Sequence, residues 1–183
     1  MSSDTQALIA TTTKGSLMKL DSLQKLWVHE LKDLYSAETQ ITEALPKIIA
    51  AASHQNLKEA LSEHLQQTKG HLARLEKIFG GLRFAPGGQH CKGMEGLLEE
   101  GKGILETDAD PLVRDAGIIS ACQRVEHYEI AGYGTAGAYA ELLGEQEAAA
   151  LLQLTLDEES SADTRLSRLA RTCINVEAMA TSR

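Results

Sequence analysis

Aromatic residues are scarce in this sequence, making up 4% of its 183 positions. Any core must therefore be built mainly from Leu, Ile, Val and Ala. Cysteine is scarce too. Cys91, Cys122 and Cys173 form an odd set without C-x-x-C spacing, which suggests neither a disulfide framework nor a zinc ribbon. Cys122 and Cys173 fall in helical pattern, where buried free thiols are common. Cys91 lies in a Gly-rich connector and is expected to be exposed. No apolar run approaches the roughly 20 residues needed to span a bilayer. The first 16 residues lack the basic-then-apolar order of a secretory signal and read as a polar tail. Positive charge is in deficit: 18 Lys and Arg stand against 26 Asp and Glu, a net −8. That balance argues against nucleic acid or an anionic membrane as a partner. Strand alternation, G-x-S-x-G, a Ser-His-Asp order and a phosphate loop are all missing, which leaves hydrolytic chemistry without support. The expectation is a soluble, cytoplasmic, single-domain protein.

What remains is almost entirely helical pattern. A first helix is predicted over 17–52, with Pro46 bending its last turns. A second is predicted over 56–79 and ends at Gly80-Gly81. A long connector, 82–109, opens with Pro86-Gly87-Gly88 and carries a short helix near 94–105. Asp110-Pro111 supplies an N-cap and a first-turn proline for a third long helix, which runs to Leu143 and stops at Gly144. The fourth runs over 145–176, leaving 177–183 as a C-terminal tail. Short turns make the first and last helix pairs antiparallel neighbours, and the connector is long enough to cross the bundle. Two antiparallel hairpins joined by a long crossover form an all-α, ferritin-like four-helix bundle.

Helical periodicity places polar residues inside the apolar stripes. At 100° per residue, Glu38 shares a face with Trp27, Leu31, Leu34 and Leu45. His64, Thr68 and His71 share one with Leu57, Leu75 and Ile78, and Gln67 lies on its flank. Glu126 sits among Leu112, Ile119, Ile130 and Tyr133, with Glu129 on the same side. Glu159 and Asp163 sit among Leu152, Leu166 and Cys173, whereas Glu158 points about 100° away. Reflection through the turns brings Glu38 level with His71, Glu129 with Glu159, and Glu126 with Asp163. An unpaired buried carboxylate costs several kcal/mol or takes up a proton. Four or five carboxylates at one height, with no Lys or Arg central to any stripe, call for cations. Two divalent ions, iron or manganese, would neutralise them, and imidazole suits these metals as well as zinc. The candidate ligands are Glu38, His64, His71, Glu126, Glu129, Glu159 and Asp163. The alternative is a metal-free helical module with a hydrogen-bonded polar core. His127 faces a flank and reads as a surface residue. Tyr133 is placed to hydrogen-bond a ligand carboxylate.

Several stretches carry a resemblance: LYSAE (34–38), HLQQTKGH (64–71), CKGMEGLLEEG (91–101), VEHYEIAGYG (125–134) and TLDEESSAD (155–163). Over 20–169 the chain resembles the YciE/YciF-like stress proteins, a branch of the ferritin-like superfamily. The resemblance implies a rubrerythrin-like helical core, homodimers or higher homo-oligomers, and induction under stress. It supplies no reaction. A ferroxidase- or peroxidase-like oxidoreductase acting on a small oxidant is one expectation, and iron handling is another. The ferritin-like pattern has one Glu on each of two helices and Glu-x-x-His on each of the others. Glu38 and Glu126 match the single positions. The second helix instead carries His64-x-x-Gln67 and His71, and the fourth carries Glu159 and Asp163 with no His. His64 and His71 are about 10 Å apart along the helix axis, too far for one ion. These departures fall on the second metal position.

Overall fold

A computed structural model describes residues 19–181. The polar tail expected over 1–16 lies outside the described residues. Among these, the chain forms α1 (Leu23–Ala51), α2 (Gln55–Leu82), α3 (Lys92–Glu106), α4 (Pro111–Leu143), α5 (Gln146–Leu169), a π-helical segment (Ala170–Ile174) and α6 (Asn175–Thr181). α1 packs on α2 and α4 on α5, and the two hairpins meet through α1–α4 and α2–α5 contacts. α3 lies across the outside of α1 and α4. This is the two-hairpin, one-crossover arrangement that the connection lengths imply.

The helix ends follow local chemistry. Ser22 caps α1 by accepting from the Lys25 N–H at 3.2 Å, so that helix begins later than position 17. Pro46 lies within α1 and does not end it. α2 runs through Gly80 and Gly81 to Leu82, and Arg83 takes the left-handed conformation (φ 58°) instead of a glycine. The Phe84 N–H reaches back to the Phe79 carbonyl at 3.1 Å and closes the end. Leu82, at the end of this extension, packs against the core layer that holds Phe79. Asp110 caps α4, donated to by the Leu112 N–H at 2.9 Å. Gly144 ends α4 at φ 79°, where a side chain would be strained. The C-terminal tail expected from 177 is instead helical through Thr181.

The core has two apolar layers. One, near the α1–α2 turn, is built around Leu45, Leu57, Leu61, Ile118 and Leu166. The other holds Trp27, Leu31, Leu75, Phe79, Tyr133 and Leu152. On each long helix the buried polar residues fall between the two: Glu38, then His64, Thr68 and His71, then Glu126 and Glu129, then Thr155 and Glu159.

α3 is fastened at its start. Cys91, expected to be exposed, is fully buried and caps α3. Its thiol lies 3.0 Å from Asp33 Oδ2 and 3.0 Å from the Tyr128 hydroxyl, which itself donates to Asp33 Oδ2 at 2.6 Å. A glycine helps this approach: a Cβ on Gly93 would stand 2.7 Å from the Tyr128 ring.

Candidate metal centre

The mid-height layer separates into two groups of ligand-type atoms. His64, Glu126, Glu129 and Glu159 form one, with ligand atoms all within 4.8 Å of one another. Glu38, His71 and Glu159 form the other to the same tolerance. Glu159 belongs to both. The two histidines thus stand in different groups, as their spacing on α2 requires. All six residues are buried, and His64, at 5%, is the most exposed of them.

Contacts within the layer are close but leave many atoms unsatisfied. His71 Nδ1 lies 3.1 Å from Glu38 Oε1 and 2.8 Å from Glu159 Oε1, neither with hydrogen-bond geometry. His64 Nε2 is 3.4 Å from Glu126 Oε1 and 4.0 Å from Glu159 Oε2. Nine buried side-chain atoms of these six residues lack any hydrogen-bond partner, among them both oxygens of Glu129 and of Glu159. Most buried polar groups in folded proteins are paired, so a concentration of this kind calls for a physical account.

The electrostatics express the same crowding. Burial first, and neighbouring carboxylates second, push the carboxyls of Glu126 and Glu129 well above their ordinary range. Burial also raises Glu38, against the pull of His71. Burial works against the charge on His71, yet Glu159 and Glu38 outweigh it and carry the imidazole up to about 10. Glu159 is correspondingly lowered, its burial outweighed by His71 and its other partners. His64 is driven toward the neutral form by burial. Without a metal, then, the layer favours an imidazolium at His71 beside the Glu159 carboxylate and favours the protonated form at Glu126 and Glu129.

The group around His71 is braced from outside. The Tyr133 hydroxyl donates to Glu38 Oε1 at 2.5 Å. His71 Nε2 meets Glu158 Oε2 at 2.9 Å. Arg74 donates to both Glu158 oxygens, at 2.7 and 2.8 Å, and to the Thr155 hydroxyl at 3.0 Å. Helical phase alone sends Glu158 away from the stripe. α2 occupies that side of α5, however, so the carboxylate meets His71 instead of open water. Arg74 is one turn beyond His71, and this spacing is the signal by which sequence reading could have found the pair.

Asp163 stands apart from both groups, a correction to the sequence expectation. It accepts from Gln123 Nε2 at 2.8 Å, and His127 Nε2 lies 3.6 Å away. Four residues beyond Glu159 on α5, it has rotated toward the exposed flank, where a polar partner from α4 holds it. His127 is largely exposed, as its phase indicates. A third cluster lies at the bundle end, where Cys173 Sγ is 3.1 Å from His54 Nε2 and 3.0 Å from Glu177 Oε1. His54 Nδ1 accepts from the Asn56 N–H at 3.2 Å. This leaves Nε2 as a donor toward the sulfur, so the cluster is satisfied by its own hydrogen bonds.

An all-α bundle with a buried acidic and imidazole layer at mid-height is the architecture of the ferritin-like class. Residues 22–179 match the model of a family described as a domain of unknown function, DUF892, and the chain belongs to that family. It is 40% identical over 164 residues to Protein YciF of Escherichia coli strain K12, covering 88% of this chain and 98% of that one. The crystal structure of the E. coli stress protein YciF matches with a TM-score of 0.82, covering 85% of this chain and 99% of the other. YcfI of Rhodopseudomonas palustris, a proposed structural protein, matches with a TM-score of 0.79 at 40% identity over 82% of this chain and 98% of its own. A Xanthomonas campestris protein at 20% identity has the same fold, with a TM-score of 0.73 over 88% and 99% of the two chains. Among the described residues no helix is long and apolar enough to cross a membrane.

Proposed function

We propose that this chain holds two divalent metal ions, iron or manganese, and uses them to handle iron or to consume an oxidant. The observation that carries this reading is Glu159, a buried carboxylate with neither oxygen satisfied, shared by two ligand groups that hold nine unpartnered atoms. The residues fit such ions: carboxylates with imidazole suit iron and manganese, and a bridging carboxylate neutralises charge on two at once. Glu38, His71 and Glu159 would hold one ion, and His64, Glu126, Glu129 and Glu159 the other. Bound iron or manganese would supply electrons to an oxidant at an open coordination position.

The protein's own groups have distinct duties. Tyr133 fixes the rotamer of Glu38. Glu158, anchored by Arg74, orients the His71 ring so that Nδ1 faces the layer, as outer hydrogen bonds do for metal-binding histidines. The apolar layers above and below exclude water and strengthen every interaction between them. Glu158 is partly exposed, so it also offers a route by which protons leave His71.

The direct test is metal analysis of chelator-stripped protein after anaerobic loading with Fe(II) or Mn(II). The reading expects about two ions per chain. Well under one would count heavily against it and favour the self-satisfied polar core. Glu126→Gln and Glu159→Gln should each lower the metal content.

A further inference from the structure

Two openings lead from the surface to the same buried pair, His64 and Glu126, and they differ in kind. The first, between α2 and α5, is a pocket of about 40 Å³ bordered by Gln67 and by an ion pair of Arg165 with Glu63. That is room for a water-sized species. The second is a cavity of about 450 Å³ enclosed by α1, α3 and α4. Its walls are apolar, with Ile41, Leu45, Leu98, Leu105, Ile118 and Val125 among them. Its only histidine is His64, and Glu126 lies beside it. His64 Nδ1 and Nε2 and Glu126 Oε2 are among the buried atoms without a partner.

The volume falls within the roughly 300–1,000 Å³ of small-molecule sites. At roughly 30 Å³ per heavy atom, the room a liquid water takes, it accommodates about 15 heavy atoms. Charged side chains border it as well. Glu95, Glu99 and Lys102 belong to α3, where Lys102 is paired with Glu106 at 3.4 Å. Lys47, on α1, is exposed and is not among the ion pairs or hydrogen bonds of the described residues. The cavity thus offers an unpaired cation at its border, an apolar interior, and unsatisfied polar atoms at its buried end. The crossover helix that forms its outer wall is held to α4, where Gly117 lets Ile104 approach within 2.7 Å of a would-be Cβ.

We infer that the cavity binds a long-chain monocarboxylate, its acid group at Lys47 and its chain directed toward His64 and Glu126. This inference rests on the proposed function only in its purpose: it makes a lipid-like molecule the substrate brought to the His64 side of the centre, while small polar species use the narrow opening. Binding itself needs no metal.

Metal-free protein is titrated with laurate and, separately, with dodecanol by isothermal calorimetry. One saturable laurate site per chain is expected, with dodecanol bound at least tenfold more weakly. Ala44→Trp, which fills the cavity from α1, should abolish binding with the helical circular dichroism retained. Lys47→Glu, an exposed change that cannot disturb packing, should weaken laurate at least tenfold and leave dodecanol unchanged. Absence of saturable binding, equal affinity for laurate and dodecanol, or unaltered binding in Lys47→Glu would each overturn the inference. Metal content is measured separately on the same preparations. A chain that takes up metal and no laurate sinks this inference alone, whereas one that binds laurate and no metal sinks only the metal reading. In Mn(II)-loaded protein, the terminal methyl of ¹³C-labelled laurate should be broadened more than its carboxyl carbon. The reverse order would overturn the assigned direction of the chain.

Discussion

Replacing Glu129 with Gln separates the metal reading from every purely structural one. Glu129 is fully buried, neither of its oxygens has a partner, and its surroundings hold it protonated when no metal is present. The amide is therefore a near-neutral copy of the metal-free state, and the metal-free variant should match the parent within about 1 kcal/mol, the net worth of one hydrogen bond. With a divalent ion the two differ sharply. A unit charge about 4 Å from a double charge, at an effective dielectric near 20, interacts by roughly 8 kcal/mol before desolvation is subtracted. A hundredfold loss of affinity, about 2.7 kcal/mol, is a modest demand on that figure. At free metal 100 times the dissociation constant, the parent gains about 2.7 kcal/mol, whereas the variant gains about 0.4. For a domain of this size that corresponds to a shift of about 5–11 °C in the parent and about 1–2 °C in the variant. The assay is thermal unfolding under anaerobic conditions, with chelator and then with Fe(II) or Mn(II). Equal metal-induced shifts in the two proteins would refute the assignment of Glu129. A parent that gains nothing at millimolar metal would refute the centre itself.

Other consequences follow from individual contacts. Tyr133→Phe removes the donor to Glu38 and should cost about 1–3 kcal/mol in urea unfolding, with metal affinity reduced about 10- to 100-fold; unchanged affinity would show that Glu38 needs no bracing. The pH dependence of metal-free protein is set on the alkaline side by His71. Its folded value, about 10, stands above the unfolded 6.5, so its stabilisation is complete below pH 6.5 and disappears as pH rises through 10. Urea midpoints of chelator-treated protein should fall across that window, and a flat profile would contradict the pairing with Glu159 and Glu38. Asp115→Ala removes two bonds to the α1–α2 turn and should cost about 3 kcal/mol by urea unfolding without changing metal content. A neutral result would mean that the turn holds its shape unaided.

Most of the architecture was legible because it is written in periodicity and connection length. The stripes of Leu and Ile locate four long helices, and the 82–109 connector has the reach to cross them. Reflection through the turns placed Glu38 beside His71 and Glu129 beside Glu159, and the structure brings these pairs together. Helix ends were less legible, since they depend on tertiary packing: the α2 helix continues through two glycines to Leu82, which packs against the core layer around Phe79. Asp163 shows the limit of the stripe argument. An angle of about 40° on a helical wheel separates a residue facing the layer from one that turns to a flanking amide. Glu158 is the converse case, outward by phase and yet met by a neighbouring helix. Cys91 misled for a different reason: composition marks its connector as loose, but burial depends on Asp33 and Tyr128, 58 and 37 positions away in sequence.

The α1–α2 turn is covered by Asp115 of α4, whose two oxygens accept from the Ser53 and His54 amides at 2.8 and 2.6 Å. Ser53 is exposed, and an exposed turn ordinarily exchanges its amide hydrogens within moments of contact with heavy water. Here the acceptor comes from the other hairpin, so the protection of these hydrogens depends on how α4 packs over the turn. The first loop is thereby tied to the third long helix, and loosening of that helix's first turns would be felt in the loop.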